Sequence, residues 1–176
     1  MNVNIREIQL VDIEKIIDYF HESETAFLEA MGVDKKKLPD REQWIEKLKV
    51  EYNKKIEKKE LYYIIWLFND EPIGHSNISK IKLGNSATMH LHIWNIDKRY
   101  KGLGLEFLKR TIPIYFEKYK LNKLICEPYS KNVAPNKVLQ KAGFTFIRSY
   151  DTIPGPINFY QTINRYELSA EGFEHL

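Results

Sequence analysis

Three apolar, aromatic-rich segments lie between Leu61 and Trp94, namely LYYIIWLF, IGHSNISKI and ATMHLHIW, and only NDEP and KLGNS, with its turn LGN, connect them. A parallel pair needs a crossover of about a dozen residues or more, so connections this short restrict the three segments to an antiparallel meander. Directly after the third strand comes NIDKRYKGLGLEFLKR, residues 95–110, in which a basic stretch and two glycines open a run of helix formers. Upstream, NVNIREI alternates as a strand, and Asp12 stands as an N-cap before the helical spacing of Ile13, Ile16, Ile17 and Phe20. A second helix is read after Pro39-Asp40 from Trp44, Leu48, Tyr52 and Ile56. Downstream follow a helix to about Tyr119, a strand KLICE, a short helix PNKVLQKA, and two strands, FTFIRSY and YQTINRYEL. The order βα(α)βββαβαββ is that of an α/β protein. With 176 residues, 43% of them hydrophobic, the chain is read as one domain over residues 1–176.

Charge narrows the partners. Twenty-seven basic residues against 24 acidic ones leave a net +3, a mixed surface rather than the dense basic face of a nucleic-acid binder. Lys47, Lys54, Lys55, Lys58 and Lys59 are read as a solvated helix face. Cys126 is the one cysteine, so no internal disulfide can form. MNVNIREIQL lacks the plan of a signal peptide, and the apolar run LYYIIWLF is too short to span a bilayer. A cytoplasmic protein without membrane or nucleic-acid partners is the expectation.

Glycines at 102 and 104 let backbone N–H groups approach a ligand closely, and the helix that starts there adds partial positive charge at its N-terminus. Together they favour an anion, in particular phosphate. A dinucleotide fingerprint would place a third glycine where Phe107 stands, and the Gly-Lys-Ser/Thr of a P-loop is absent. A tight strand-to-helix turn with no ligand is the competing reading of the same residues.

Arg99-Tyr100-Lys101-Gly102-Leu103-Gly104 resembles the Arg/Gln-x-x-Gly-x-Gly/Ala loop of the GNAT superfamily of acyl-CoA-dependent N-acetyltransferases. NVAPNKVLQKAGF, Asn132 to Phe144, resembles that family's second block, which ends in Lys-x-Gly-Phe. The form of this block is similar to the branch that includes ribosomal-protein N-terminal acetyltransferases. The resemblance implies a GNAT fold: a mixed, mainly antiparallel seven-stranded sheet with helices on both faces. It implies acetyl-CoA as co-substrate, an amine acceptor (a small molecule or a peptide N-terminus), and direct transfer in a ternary complex. Backbone amides from Tyr100 to Gly104 would cradle the pyrophosphate, with Arg99 and Lys101 adding charge. Asn132 would meet the pantetheine arm, and Lys137 the adenosine phosphate end. Capping of the short helix by Asn132 and simple solvent exposure of Lys137 stay open as alternatives.

An alkylammonium has a pKa of about 10, so amine attack on a thioester near neutral pH needs a proton acceptor. On TMHLHIW, alternation puts Thr88, His90, His92 and Trp94 on one face and Met89, Leu91 and Ile93 on the other, toward the core. The first face is the cleft face in the GNAT pattern. A His-x-His pair on this strand is the proton relay of arylalkylamine acetyltransferases, which points to His90 and His92 as catalytic. Thr88 stands near the glutamate that many other members use. Backbone groups of His92, Ile93 and Trp94 are expected to hold the thioester carbonyl and pantetheine. Structural histidines are the bland alternative, and a metal site, for which His75 is the nearest third ligand, is not expected.

Many members carry a tyrosine acid where this chain has Leu139, leaving Tyr129 and Ser130 as fallback donors. Cys126 is read as a small buried residue rather than a nucleophile. Glu22, Glu24 and Glu29 are read as an exposed acidic helix or, with the loop IPGPINFYQ, as walls of the acceptor site that would suit a cationic amine. A monomer or homodimer is expected. The rival reading is a silent acyl-CoA-binding or sensing domain that keeps the loop and Asn132 without a proton path.

Overall fold

The computed structural model describes residues 2–94 and 102–174. Its chain runs β1 (Val3–Glu7), α1 (Leu10–Glu22), α2 (Thr25–Ala30), α3 (Arg41–Asn53), β2 (Tyr62–Phe68), β3 (Glu71–Lys82), β4 (Ser86–Ile93), α4 (Leu103–Tyr119), β5 (Lys123–Cys126), α5 (Val133–Lys141), β6 (Thr145–Thr152), β7 (Gln161–Ser169) and α6 (Ala170–Glu174). Seven strands form one sheet in the order β1-β2-β3-β4-β5-β7-β6. The meander of β2, β3 and β4 is antiparallel, as its short turns require, while β4 and β5, joined through α4, pair in parallel. The mixed, mainly antiparallel sheet is the one expected.

Helices cover both faces. One core joins β2 residues Ile64 and Trp66 to Phe107, Leu108 and Tyr115 of α4. The other joins Ile65 of β2 to Ile13, Ile17, Leu28 and Leu48 of α1, α2 and α3. Neighbouring residues of β2 enter different cores because strand side chains alternate between faces. Trp66 stacks on Phe107 with ring centroids 4.8 Å apart and 2° between planes, and its indole N–H donates to Thr111 Oγ1 at 3.0 Å. That pairing fixes α4, and with it the glycine turn at its start, to the middle of the sheet.

Two helix boundaries differ from the sequence reading. α1 begins at Leu10, so Asp12 sits one turn inside rather than at the N-cap. Its fully buried carboxylate accepts from the Gln9 N–H at 2.8 Å and is held by both terminal nitrogens of Arg6, which explains a polar residue where a cap was expected. α3 is capped by Asp40, which accepts from the Glu42 and Gln43 N–H groups, but it stops at Asn53, short of Ile56. There Lys59 Nζ donates to the Glu51 and Tyr52 carbonyls, closing the helix end that the fourfold spacing would have extended. α2 and α6 were not resolved as separate helices by the sequence pattern.

Candidate active site

The site is built by a parting of strands. β4 and β5 pair only from Ser86↔Lys123 to Thr88↔Ile125. Beyond Cys126 the chain follows β7 instead: the Asn164 N–H bonds the Pro128 carbonyl, the Ser130 N–H bonds the Thr162 carbonyl, and Tyr129 bridges to Ile163. β4 meanwhile stays paired with β3 as far as Gly74↔Ile93. A gap therefore opens along one edge of β4.

The backbone facing that gap can be assigned. The Met89 carbonyl accepts the Cys126 thiol at 3.3 Å from the β5 side, whereas the Trp94 N–H bonds the Ile73 carbonyl at 2.8 Å on the β3 side. Backbone groups alternate in direction along a strand, so His90 and His92 turn their N–H and C=O groups toward β3, and Leu91 turns its own into the gap. The backbone contact expected near His92 thus falls to its odd-numbered neighbours. The Trp94 N–H, one of the groups expected to meet a ligand, is already taken.

Side chains line a cavity of about 490 Å³ that reaches from the α1–α3 face of the sheet through the gap to α5. His75, Asn77, His90 and His92 lie on its floor, Phe20 and Trp44 in one wall, and Asn132 and Leu139 at the α5 end. The expected histidine face is therefore the cavity face. Met89 and Ala87 are buried in the opposite core, with Leu91 and Ile93 packed against it.

His90 is the more open of the pair, and its Nε2 lies 2.9 Å from Ser79 Oγ. Loss of hydration between the cavity walls, with the Lys80 charge adding, pushes its pKa down to about 4, so the ring is neutral at physiological pH. His92 is half-buried, its Nδ1 3.4 Å from the Tyr19 hydroxyl of α1 and its ring stacked on His75 at a centroid distance of 4.9 Å. Trp94 turns its indole inward and donates to His75 Nδ1 at 2.8 Å. His75 is 1% exposed, and burial holds its pKa well below the ordinary value, with His92 and His90 contributing. Among the described residues no three His, Cys, Asp or Glu side chains are grouped to hold a metal.

At the other end, Gly102 has φ +92°, which favours glycine, and a Cβ built there meets nothing within 4 Å. The Leu105 and Glu106 N–H groups already bond the Gly102 carbonyl, leaving the Leu103 and Gly104 amides as the helix donors without an intrahelical acceptor. Leu103 buries its side chain in the core. A Cβ at Gly104 would stand 3.7 Å from Val138, so the start of α4 abuts α5. Asn132 occupies the N-cap position of α5 but makes no capping bond with its side chain. Its carbonyl is engaged by Asn136 Nδ2 at 2.7 Å. Lys137 is exposed on α5, and Gly143, at φ +83°, ends that helix as its sequence implied. Arg99, Tyr100 and Lys101 lie outside the described residues.

Leu139 is fully buried and apolar, whereas Tyr129 reaches the cavity and Ser130 does not. Cys126 is buried, which raises its thiol pKa far above the ordinary range. Glu22, Glu24 and Glu29 are exposed and do not line the cavity, so of their two readings the solvated acidic surface is the one found; Pro154 and Ile157 of the other loop do line it. Sequence reading passed over Asn77, Ser79 and Tyr19. The first two were not legible: the three-residue turn pairs Lys82 with Ser86, which by alternation alone would set Asn77 opposite Leu91, and only the register shift between Ser79 and Lys82 brings His75, Asn77 and Ser79 opposite His92, His90 and Thr88.

Several solved structures share this architecture. An aminoglycoside acetyltransferase, AAC(6')-Ib, in complex with coenzyme A and kanamycin is 16% identical, with 99% of this chain and 98% of that chain covered and a TM-score of 0.75. RimL, a ribosomal L7/L12 α-N-protein acetyltransferase in complex with coenzyme A, is 11% identical over 98% of this chain and 96% of that chain, TM-score 0.79. Spermidine N-acetyltransferase from Vibrio cholerae, in complex with CoA and spermine, is 15% identical over 98% of each chain, TM-score 0.76. Among curated protein sequences none matches this chain. These likenesses, at such low identity, establish the fold. The profile of the acetyltransferase (GNAT) domain matches residues 2–145, most of the chain and every element from β1 to the start of β6, and on that match the protein belongs to the GNAT acetyltransferase family.

Proposed function

We propose that the protein is an acetyl-CoA-dependent N-acetyltransferase that transfers the acetyl group directly to a primary amine. The observation that carries this reading is the gap between β4 and β5, which joins an Asn132 carboxamide free of capping duty to a floor bearing His90 and His92. The glycine turn at the start of α4 abuts Val138 of α5, the helix that Asn132 begins, so one extended cofactor could meet both elements. GNAT neighbours in complex with coenzyme A give the same expectation.

In this reading the amine nitrogen attacks the thioester carbonyl carbon, the carbon–sulfur bond breaks, and the amine proton passes to His90 or, through Tyr19 and His92, to solvent. The Leu91 N–H, turned into the gap, is placed to stabilise the oxygen as it gains negative charge. Leu139 offers no proton to the leaving thiolate. A coenzyme thiol of ordinary acidity, with a pKa of about 8.5, departs without one. Cys126 fits poorly as an acyl carrier, since its thiol donates to Met89 and burial disfavours the thiolate.

The test is incubation of the pure protein with acetyl-CoA and a broad panel of amines while free thiol is recorded, beside calorimetry of acetyl-CoA binding. Amine-dependent thiol release supports the proposal. Tight binding without release for any amine would replace it with the silent acyl-CoA-binding reading.

A further inference from the structure

The acceptor half of the cavity is short of negative charge. Among the described residues its charged lining side chains, histidines aside, are Lys47, Lys80 and Glu127. Glu127 is already committed, accepting from the Tyr150 hydroxyl at 2.7 Å and from Arg165 Nη1 at 2.8 Å. Neither lysine is ion-paired among the described residues. The wall facing the floor is apolar, built from Phe20, Met31, Val33 and Trp44 with Ile157 across from them. A ligand with several cationic groups would give up hydration there and find, among the described residues, only the Glu127 carboxylate, which is already ion-paired with Arg165.

One polar group on the floor stands out. Asn77 is 7% exposed, and its side-chain amide makes no hydrogen bond among the described residues. The carboxamide opens on the cavity rather than being sealed from water, so its hydrogen-bonding capacity is available to a ligand. Its strand partner across the β3–β4 ladder is His90, and directly opposed side chains lie on the same face within about 5.5 Å at Cβ. Whatever Asn77 holds is therefore set beside the proposed proton acceptor.

We infer that Asn77 is a specificity-determining residue that accepts a hydrogen bond from the acceptor's amine through Oδ1, and that the acceptor is a monoamine on an apolar or aromatic body rather than a polycation. The inference rests on the acetyltransferase reading above and goes beyond it in naming the acceptor class.

The test compares 2-phenylethylamine, spermine and kanamycin as acceptors for the wild-type protein and for Asn77→Leu, with Asn77→Ala as a smaller second variant should the first fail to fold. 2-Phenylethylamine should have the highest kcat/KM in the wild type. Loss of one hydrogen bond should raise its KM about ten-fold or more in the variant, with acetyl-CoA affinity unchanged. An unchanged KM in a folded variant, or a preference for spermine or kanamycin, overturns the inference. If the wild type acetylates none of the three, saturation-transfer NMR of the CoA-loaded protein decides separately. Binding of 2-phenylethylamine that Asn77→Leu abolishes upholds the assignment and leaves catalysis to the broad amine panel, whereas no binding, or binding that the variant keeps, overturns the inference.

Discussion

Replacement of His75 by phenylalanine should change how the protein responds to acid. His75 is buried, its Nδ1 accepts the Trp94 indole N–H at 2.8 Å, and its ring stacks on His92, so every contact it makes favours the neutral form. In the unfolded chain the same imidazole titrates at about 6.5. Below that pH the unfolded state takes up a proton that the native state refuses, and stability falls as pH falls. From pH 7.5 to pH 5 the single-site linkage amounts to about 2 kcal/mol, at 1.36 kcal/mol per pH unit below 6.5. His75→Phe keeps a flat ring against His92 but leaves the Trp94 N–H without its acceptor, a cost of about 1–3 kcal/mol at pH 7.5. Urea unfolding of both proteins at the two pH values measures each quantity. The wild type should lose about 2 kcal/mol more than the variant on acidification. Parallel losses would show that His75 takes up its proton in the native state and would refute the reasoning.

Further outcomes concern the site. His90→Ala should lower kcat by roughly 10²- to 10⁴-fold near neutral pH with little change in acetyl-CoA affinity. Any limb of the pH–rate profile that belongs to His90 should lie below the ordinary histidine range, because loss of hydration in the cavity and the Lys80 charge push its pKa down, so a limb near neutrality that survives in the variant belongs to the amine or to His92. Gly102→Val, which forces a branched residue to φ +92°, should weaken acetyl-CoA binding about ten-fold or more by calorimetry while the protein still melts cooperatively. Cys126→Ser should keep kcat within several-fold, because a hydroxyl can also donate to the Met89 carbonyl; a loss of about 10³-fold would point to an acyl-enzyme.

The sheet was legible because its signals are local. The apolar run LYYIIWLF and the alternation in ATMHLHIW, with turns too short for a crossover, determine antiparallel neighbours wherever the segments end up. Helix ends were less legible. Asp12 looks like a cap, and only the approach of Arg6 from β1 shows why an acid lies one turn inside α1. Ile56 continues a helical spacing, yet Lys59 folds back to close α3 before it. In the site, the two histidines could be placed on the cavity face by parity alone. The parting of β4 from β5 could not, since it depends on residues 127–130 following β7, a long-range choice that no local pattern records. Asn77 lay hidden for a related reason: a polar residue in IGHSNISKI has no meaning until its strand is set beside His90.

The gap beside β4 makes one strand interior along its β3 edge and terminal along the other. Sheet edges are where proteins aggregate, because unpaired backbone invites a strand from another molecule. Here the invitation lies in the middle of a sheet, between β5 on one side and the cavity walls on the other, so a second sheet cannot reach it. A single extended chain with amide groups can. The fold thereby keeps a reactive edge exposed to a slender ligand and closed to its own kind, without the charged or proline-blocked rim that an outer strand would need.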